Sequence, residues 1–224
     1  MSSTDLNILD LGQKDYKEVW DLQKVIHKKR MENKIADTFI LVEHNPVITM
    51  GKSGREKNLL IPFKFLENKG IAYYQIERGG DVTYHGPGQL VGYPIFNIKE
   101  GLIGIKPFIE KIEDVIISTL AEFDIKGEKK EKMIGVWSQK GKICSIGIAV
   151  QRWVSYHGFA FNVNTDLKYF DYIVPCGLKD VAMTSIQEIL KKEISMDEVK
   201  KIIIKNFGIL FNKNVEQRCL EELI

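Results

Sequence analysis

Short β-branched and aromatic runs follow one another along this chain, with turn signals rather than helices between most of them. Residues 39–42 (FILV), 47–50 (VITM), 71–77 (IAYYQIE) and 90–96 (LVGYPIF) read as strands. They are separated by Asn45-Pro46, Gly51, Gly79-Gly80 and a Gly-Pro-Gly loop. A second group follows at 134–137, 143–150 and 153–164, and Gly141 between Lys140 and Lys142 predicts a hairpin turn. Strands that arrive in runs pair as a mixed or antiparallel sheet, whereas a doubly wound parallel sheet needs strict alternation with helices. The expected class is therefore α+β. Pro94 places its strand at an edge or a bulge, because proline has no N–H to give a ladder.

Helices fill the remaining gaps. Residues 15–33 are amphipathic, with Tyr16, Val19, Trp20, Leu22 and Ile26 near one stripe. Residues 105–123 carry the strongest period, Phe108, Ile112, Val115, Ile116 and Leu120 recurring at three and four, with Pro107 suited to a first turn. Two helices close the chain. Thr184 with Gln187, and Ser195 with Glu198, have capping-box spacing, and Val199, Ile202, Ile203, Phe207 and Leu210 form a buried stripe. Residues 126–132, four lysines and two glutamates around one glycine, read as a solvated loop.

No repeat or Pro/Gly/Ser linker divides the 224 residues, so a single domain over 1–224 with its core at about 10–210 is expected. Thirty-two Lys+Arg against 30 Asp+Glu leave a formal net charge of only +2, which counts against a dedicated nucleic-acid binder. Three cysteines, Cys144, Cys176 and Cys219, form no CxxC pair and argue against a disulfide framework. The N-terminus shows no signal-peptide pattern, and every apolar run is broken by charge well short of a membrane span of ~20 residues. A soluble cytoplasmic protein is expected.

Three segments carry chemistry. Residues 78–89 (RGGDVTYHGPGQ) pack four glycines, an arginine and a histidine behind a strand, a density suited to close backbone approach to a ligand. Neither a P-loop nor a Rossmann fingerprint is present. Residues 142–147 (KICSIG) begin an apolar strand with Lys142, which by itself reads as a solvated strand end. Residues 156–164 (YHGFAFNVN) precede a Pro-Cys-Gly turn that holds Cys176. A nucleophilic thiolate needs a cation or base beside it, and Lys142, His85 and His157 are the candidates. Residue types leave all three open. Cys144 alternates with apolar neighbours and Cys219 lies in a polar tail, so both read as structural or incidental. No pair among His85, His157, Cys144 and Cys176 has zinc-finger or HExxH spacing, and no metal is expected.

Together these segments resemble the lipoyl(octanoyl) transferases. The resemblance rests on RGGDVTYHGPGQLVGYP at 78–94, GKICSIGIAVQRWVSYHGFAFNVNTDL at 141–167 and FDYIVPCGLKDVAMTSI at 170–186, with HNPVITMG at 44–51 upstream. It covers roughly residues 10–210. Cys144 and Ser145 stand where alanines are frequent, and Gln151 where the family is usually more basic.

The resemblance implies the fold of the biotin and lipoate protein ligases, a mixed sheet with packed helices plus a smaller sheet. It implies Cys176 as nucleophile and Lys142 as the group that favours its thiolate and moves protons. It assigns substrate contacts to Arg78, Gly79, Gly80, Asp81, Val82, Thr83, Tyr84 and His85, to Ser145, Ile146 and Gly147, and to Gly158, Phe159 and Ala160. The implied donor is octanoyl-acyl-carrier protein, and the acceptors are lipoyl domains of 2-oxoacid dehydrogenase complexes and the glycine-cleavage H protein. Thioester to amide is downhill, so no cofactor and no ATP are expected. Nor are nucleic-acid or membrane partners, and a monomer is. Two other readings stand beside this one: an ATP-dependent lipoate–protein ligase on the same fold, and a non-catalytic acyl- or carrier-protein-binding module.

Overall fold

In the computed structural model, residues 5–99, 104–174 and 181–224 are described, and their strands form two sheets. The large one contains β1 (Asp5–Lys14), β2 (Asp37–His44), β6 (Gln89–Ile95), β7 (Glu128–Lys130), β8 (Met133–Ser138), β9 (Gly141–Gln151), β10 (Val154–Asn162) and β11 (Asn214–Gln217). Its spatial order is β11-β1-β2-β6-β10-β9-β8-β7. The small sheet contains β3 (Val47–Met50), β4 (Ala72–Gln75) and β5 (Val82–His85), in the order β4-β3-β5. β1 runs parallel to both β2 and β11 while the other large-sheet pairs are antiparallel, so the sheet is mixed.

A parallel pair needs a crossover, and α1 (Tyr16–Met31) supplies it between β1 and β2. The helix lays Val19 and Ile26 on one face of the sheet, against Leu9, Ile40, Val42, Val91 and Tyr93. The opposite face is covered by α3 (Ile105–Ala121) and α5 (Met196–Phe211). Phe108, Ile112, Val115 and Ile116 from α3, and Val199, Ile203 and Phe207 from α5, pack there on Phe39, Leu41, Phe159 and Phe161. Each such side chain buried contributes roughly 1.5–3 kcal/mol, so this face holds most of the hydrophobic stabilisation. The short helices α2 (Phe63–Asn68) and α4 (Ile186–Leu190) complete the α-helices among the described residues, beside short 3₁₀ turns at Glu56–Asn58, Leu167–Tyr172 and Leu220–Glu222.

Several local expectations are corrected. β6 is an interior strand, flanked by β2 and β10, although it contains Pro94. Its ladder with β10 ends at Gly92, so Pro94 lies past that end and pairs only with Phe39 of β2. The Ser155 hydroxyl then donates to the Pro94 carbonyl at 2.7 Å, satisfying the acceptor the ladder leaves over. Residues 126–132 are not all loop: Glu128–Lys130 form the edge strand β7, wholly exposed. Its charges suit an edge, because they oppose pairing with another chain. The cap of α4 is Ser185, whose hydroxyl accepts from the Glu188 N–H at 3.0 Å, and not Thr184 one residue earlier. Ser195 caps α5 as its spacing predicts. No helix among the described residues is long and apolar enough to cross a membrane.

Candidate active site

A narrow pocket opens between the α1-facing side of the large sheet and the loop that links β4 to β5. Strand register assembles it. Ser145 of β9 pairs with Ala160 of β10, which pairs with Val91 of β6, and Gly147 pairs with Gly158. Three stretches far apart in sequence thus become one floor, and the small residues Ser145, Gly147, Gly158 and Ala160 leave it hollow. Arg78, Gly80, Asp81, Val82, Thr83 and His85 form the facing wall, closed at the side by Tyr16 and Tyr93.

Gly158 shows how tightly the floor is built. A Cβ there would lie 1.9 Å from the Gly92 carbonyl oxygen and 2.8 Å from Pro94 Cδ, so β10 approaches β6 only because position 158 is bare. Gly158→Ala is expected to cost about 1–3 kcal/mol through forced backbone shift. Thermal denaturation checks this, and an unchanged melting temperature contradicts it.

The 78–81 loop is fixed at both ends. Arg78 donates from Nη2 to the Thr49 carbonyl at 2.8 Å and to Thr49 Oγ1 at 3.0 Å, while the Gly79 N–H donates to the Ile148 carbonyl at 3.0 Å. Asp81 lines the pocket, yet its carboxylate is engaged elsewhere. It accepts from the Val82 N–H at 2.7 Å and from Asn58 Nδ2 at 2.5 Å. Its side chain is an anchor for the loop after β3.

Beneath this loop runs a continuous polar chain. Thr49 Oγ1 lies 3.5 Å from His85 Nε2, and His85 Nδ1 donates to Gln89 Oε1 at 2.8 Å. Gln89 Nε2 donates to Asn162 Oδ1 at 2.9 Å, and Asn162 Nδ2 donates to the Thr184 carbonyl at 3.0 Å. The Thr184 N–H in turn donates to the Lys142 carbonyl at 3.0 Å. The pocket wall and the strand of Lys142 are therefore held in one buried network, which rigidifies because its members are mutually satisfied. His44 donates from Nδ1 to the Lys14 carbonyl, so its Nε2 accepts from the Tyr93 hydroxyl at 2.7 Å. Burial pushes the His44 and His85 imidazoles down to about 4 and about 3, which keeps both rings neutral at neutral pH.

Lys142 is not a solvated strand end: it is only 2% exposed. The register between β8 and β9 skips Ile143, pairing Val136 with Cys144 and Trp137 with Lys142. Ile143 and Cys144 both enter the helix-packed core, so this bulge breaks the alternation and puts Lys142 in phase with Ser145 and Gly147. The ammonium donates to the Ile134 carbonyl at 3.1 Å and sits 5.0 Å from the Trp137 ring centroid. Gly135 makes room, since a Cβ there would meet Lys142 Cε at 2.7 Å.

Cys176 lies outside the described residues, but the chain on either side of its segment is placed. The Val174 N–H donates to the Asn58 carbonyl at 2.7 Å, tying the entry to the loop beside the small sheet. On the exit side Met183 bridges Lys142, whose N–H donates to the Ala182 carbonyl at 2.8 Å. Cys144 is a core residue, its thiol pushed well above the ordinary range by burial.

Of the substrate residues expected from sequence, twelve line this one pocket: Arg78, Gly80, Asp81, Val82, Thr83, His85, Ser145, Ile146, Gly147, Gly158, Phe159 and Ala160. Gly79 acts through its backbone latch to β9 instead. Tyr84 points to the other side of β5, where it stacks on Tyr169 at 4.6 Å. Lys142 does not line the pocket. Tyr16, Val91 and Tyr93 do, as does His157, and the relay residues Thr49, Gln89, Asn162 and Thr184 stand behind. Gln89, His157 and Asn162 fall inside the segments singled out by sequence, whereas no local signal marks Tyr16, Val91, Tyr93 or Thr49. Tyr16 reads as one more stripe residue of α1, although its ring stacks on His85 at 5.9 Å.

Residues 15–208 match the model of the lipoyl protein ligase A/B catalytic domain. The chain belongs to this family. Among the curated members of the ligase A/B family, an octanoyltransferase of Christiangramia forsetii is 43% identical over 229 residues, covering 95% of this chain and 98% of that protein. One of Dictyoglomus thermophilum is 47% identical over 208 residues, covering 91% and 88%. The chain is accordingly an acyltransferase of the octanoyltransferase group. The fold also matches the bipartite lipoate protein ligase of Thermoplasma acidophilum, with a TM-score of 0.77 at 13% identity over 98% of this chain and 90% of that one. A biotin protein ligase of Aquifex aeolicus bound to biotin superposes with a TM-score of 0.53 at 17% identity, over 92% and 70%. These two likenesses place the fold with the biotin and lipoate protein ligases, as the sequence resemblance implies.

Proposed function

We propose that this chain transfers an octanoyl group from octanoyl-acyl-carrier protein, through a thioester on Cys176, to the target lysine of a lipoyl domain. The observation that carries this reading is the docking of residues 182–184, just beyond the Cys176 segment, onto the backbone of buried Lys142 beside the pocket. A fixed ammonium near a thiol favours the thiolate. The thiolate attacks the thioester carbonyl, the carbonyl–sulfur bond of the donor breaks, and the carrier's pantetheine leaves as a thiol by taking a proton from the Lys142 ammonium or from solvent. The acceptor lysine, as its free amine, then attacks the Cys176 thioester. An amide forms, the amine's surplus proton passes to Lys142 or solvent, and the Cys176 thiolate is restored. Each step exchanges one acyl bond for another, so in this reading neither ATP nor a cofactor enters.

The pocket suits the acyl chain by shape. Its floor is small and mostly apolar, and burying each methylene contributes about 0.8 kcal/mol. Free space is about 40 Å³, near one water's share of liquid. An octanoyl chain therefore enters only as the side chains that line the pocket part, while the 78–81 loop keeps its backbone hydrogen bonds to β9 and to the loop after β3. Ser145 Oγ lines the pocket and is buried with no hydrogen-bond partner among the described residues, which leaves this hydroxyl available to the reacting carbonyl.

The test uses purified protein, octanoyl-carrier protein and unmodified lipoyl domain, without ATP. Octanoyl amide on the domain's lysine is the expected product. Formation of that amide only from free octanoate and ATP would instead identify a ligase, in which a Cys176 nucleophile is dispensable. A stable complex with no release of carrier thiol would identify a binding module.

A further inference from the structure

The register of β9 and β10 gives the pocket a direction. Lys142 stands at one end, and passing along β9 through Ser145 and Gly147 leads to Ile148, which pairs with His157. From Ser145 to Ile148 is three residue steps, about 10 Å of strand. At the Ile148 level the slot is stopped twice. The Gly79 latch reaches the Ile148 carbonyl from above, and the His157 ring stands in the floor, 1% exposed.

His157 is an unusual wall for an apolar chain. Among the described residues neither ring nitrogen has a hydrogen-bond partner, and Glu77 Oε2 stands 3.8 Å from Nε2, at ion-pair distance but beyond hydrogen-bond range. Its backbone is held at φ 57, a conformation that bulky residues avoid, and its N–H donates to Gln23 Oε1 at 2.9 Å. Gln23 Nε2 is likewise unpartnered. Behind the ring stand Glu77 and Trp20, whose indole N–H donates to Glu77 at 3.4 Å, and Lys24 lies 3.8 Å from the Trp20 ring centroid. A methylene pressed past this level would have to displace the ring and pack against buried polar atoms instead of apolar ones, and would then meet the Glu77 carboxylate.

We infer that His157, backed by Gln23 and Glu77, ends the acyl slot and so sets the length of chain the enzyme accepts. The inference rests on the proposed entry of the acyl chain from the Lys142 end. Removing the ring extends the apolar floor by the space it fills, and a chain two carbons longer then fits.

The test is a series of hexanoyl-, octanoyl-, decanoyl- and dodecanoyl-carrier protein donors, read as kcat/KM for transfer to lipoyl domain. For the unaltered enzyme, values rise to eight carbons and fall beyond. In His157→Ala the decanoyl-to-octanoyl ratio rises about tenfold, the gain from burying two further methylenes. His157→Asn, shorter and tolerant of the left-handed backbone, moves the ratio the same way and covers the case in which alanine fails to fold. A purely structural role lowers all donors together and leaves the ratio unchanged, which overturns the inference. So does an unaltered enzyme whose kcat/KM stays level through twelve carbons. If no acyl-carrier donor reacts with the unaltered enzyme, the proposed function fails first and this inference falls with it.

Discussion

Cys176→Ala is expected to reduce octanoyl transfer to background while leaving the fold intact. The covalent route has no substitute in this site: without the sulfur, the acceptor lysine would have to meet the carrier's thioester directly in a slot shaped for one chain. Among the described residues the other cysteines offer no rescue, since Cys144 is sealed in the core and Cys219 lies in the exposed C-terminal stretch. Transfer assays with circular dichroism as a folding control check this. Retention of even a tenth of the activity contradicts a nucleophilic Cys176.

Lys142→Ala is expected to lower transfer by about 10²–10⁴, the usual worth of a positioned acid–base group. In the proposed mechanism the change also removes the cation that favours the Cys176 thiolate. The Cys176 thiol then returns toward the ordinary value of about 8.5, and less thiolate is present at neutral pH. Residual activity should therefore climb as pH rises through that range, whereas the unaltered enzyme already holds its thiolate at lower pH. A pH–rate comparison reads this directly. If the variant keeps a profile parallel to the unaltered enzyme, Lys142 contributes only through its hydrogen bond to Ile134 and its seat over Trp137.

Much of the architecture is legible where period is strong. The stripe through Phe108, Ile112 and Leu120 names α3 because a face buried against a sheet must repeat every 3.6 residues. β11 is invisible for the opposite reason: its four residues are all exposed, so nothing in Asn214–Gln217 alternates. β1 is obscured because Leu6 and Ile8 serve one core and Leu9 the other, which blurs its period. Pro94 misleads because a strand can be interior yet unpaired on one side for its last residues.

The site divides in the same way. The glycine density of 78–88 marks the pocket loop locally, and Gly147 and Gly158 lie in the segments singled out with it. Only the family resemblance assigns Lys142 a role, and its burial is not legible locally because the bulge at Ile143 that turns it is a property of pairing between β8 and β9. The relay through His85, Gln89, Asn162 and Thr184 spans separations that no local pattern encodes.

The central claim is that the acyl group rests on Cys176 between donor and acceptor. Intact-protein mass spectrometry tests it after mixing the enzyme with octanoyl-carrier protein, without ATP, and then chasing with unmodified lipoyl domain. The account predicts a gain of one octanoyl group, mapped to Cys176 and absent from Cys176→Ala, which moves to the domain's lysine on the chase. Octanoylated domain formed at full rate with no enzyme adduct at any time would contradict it.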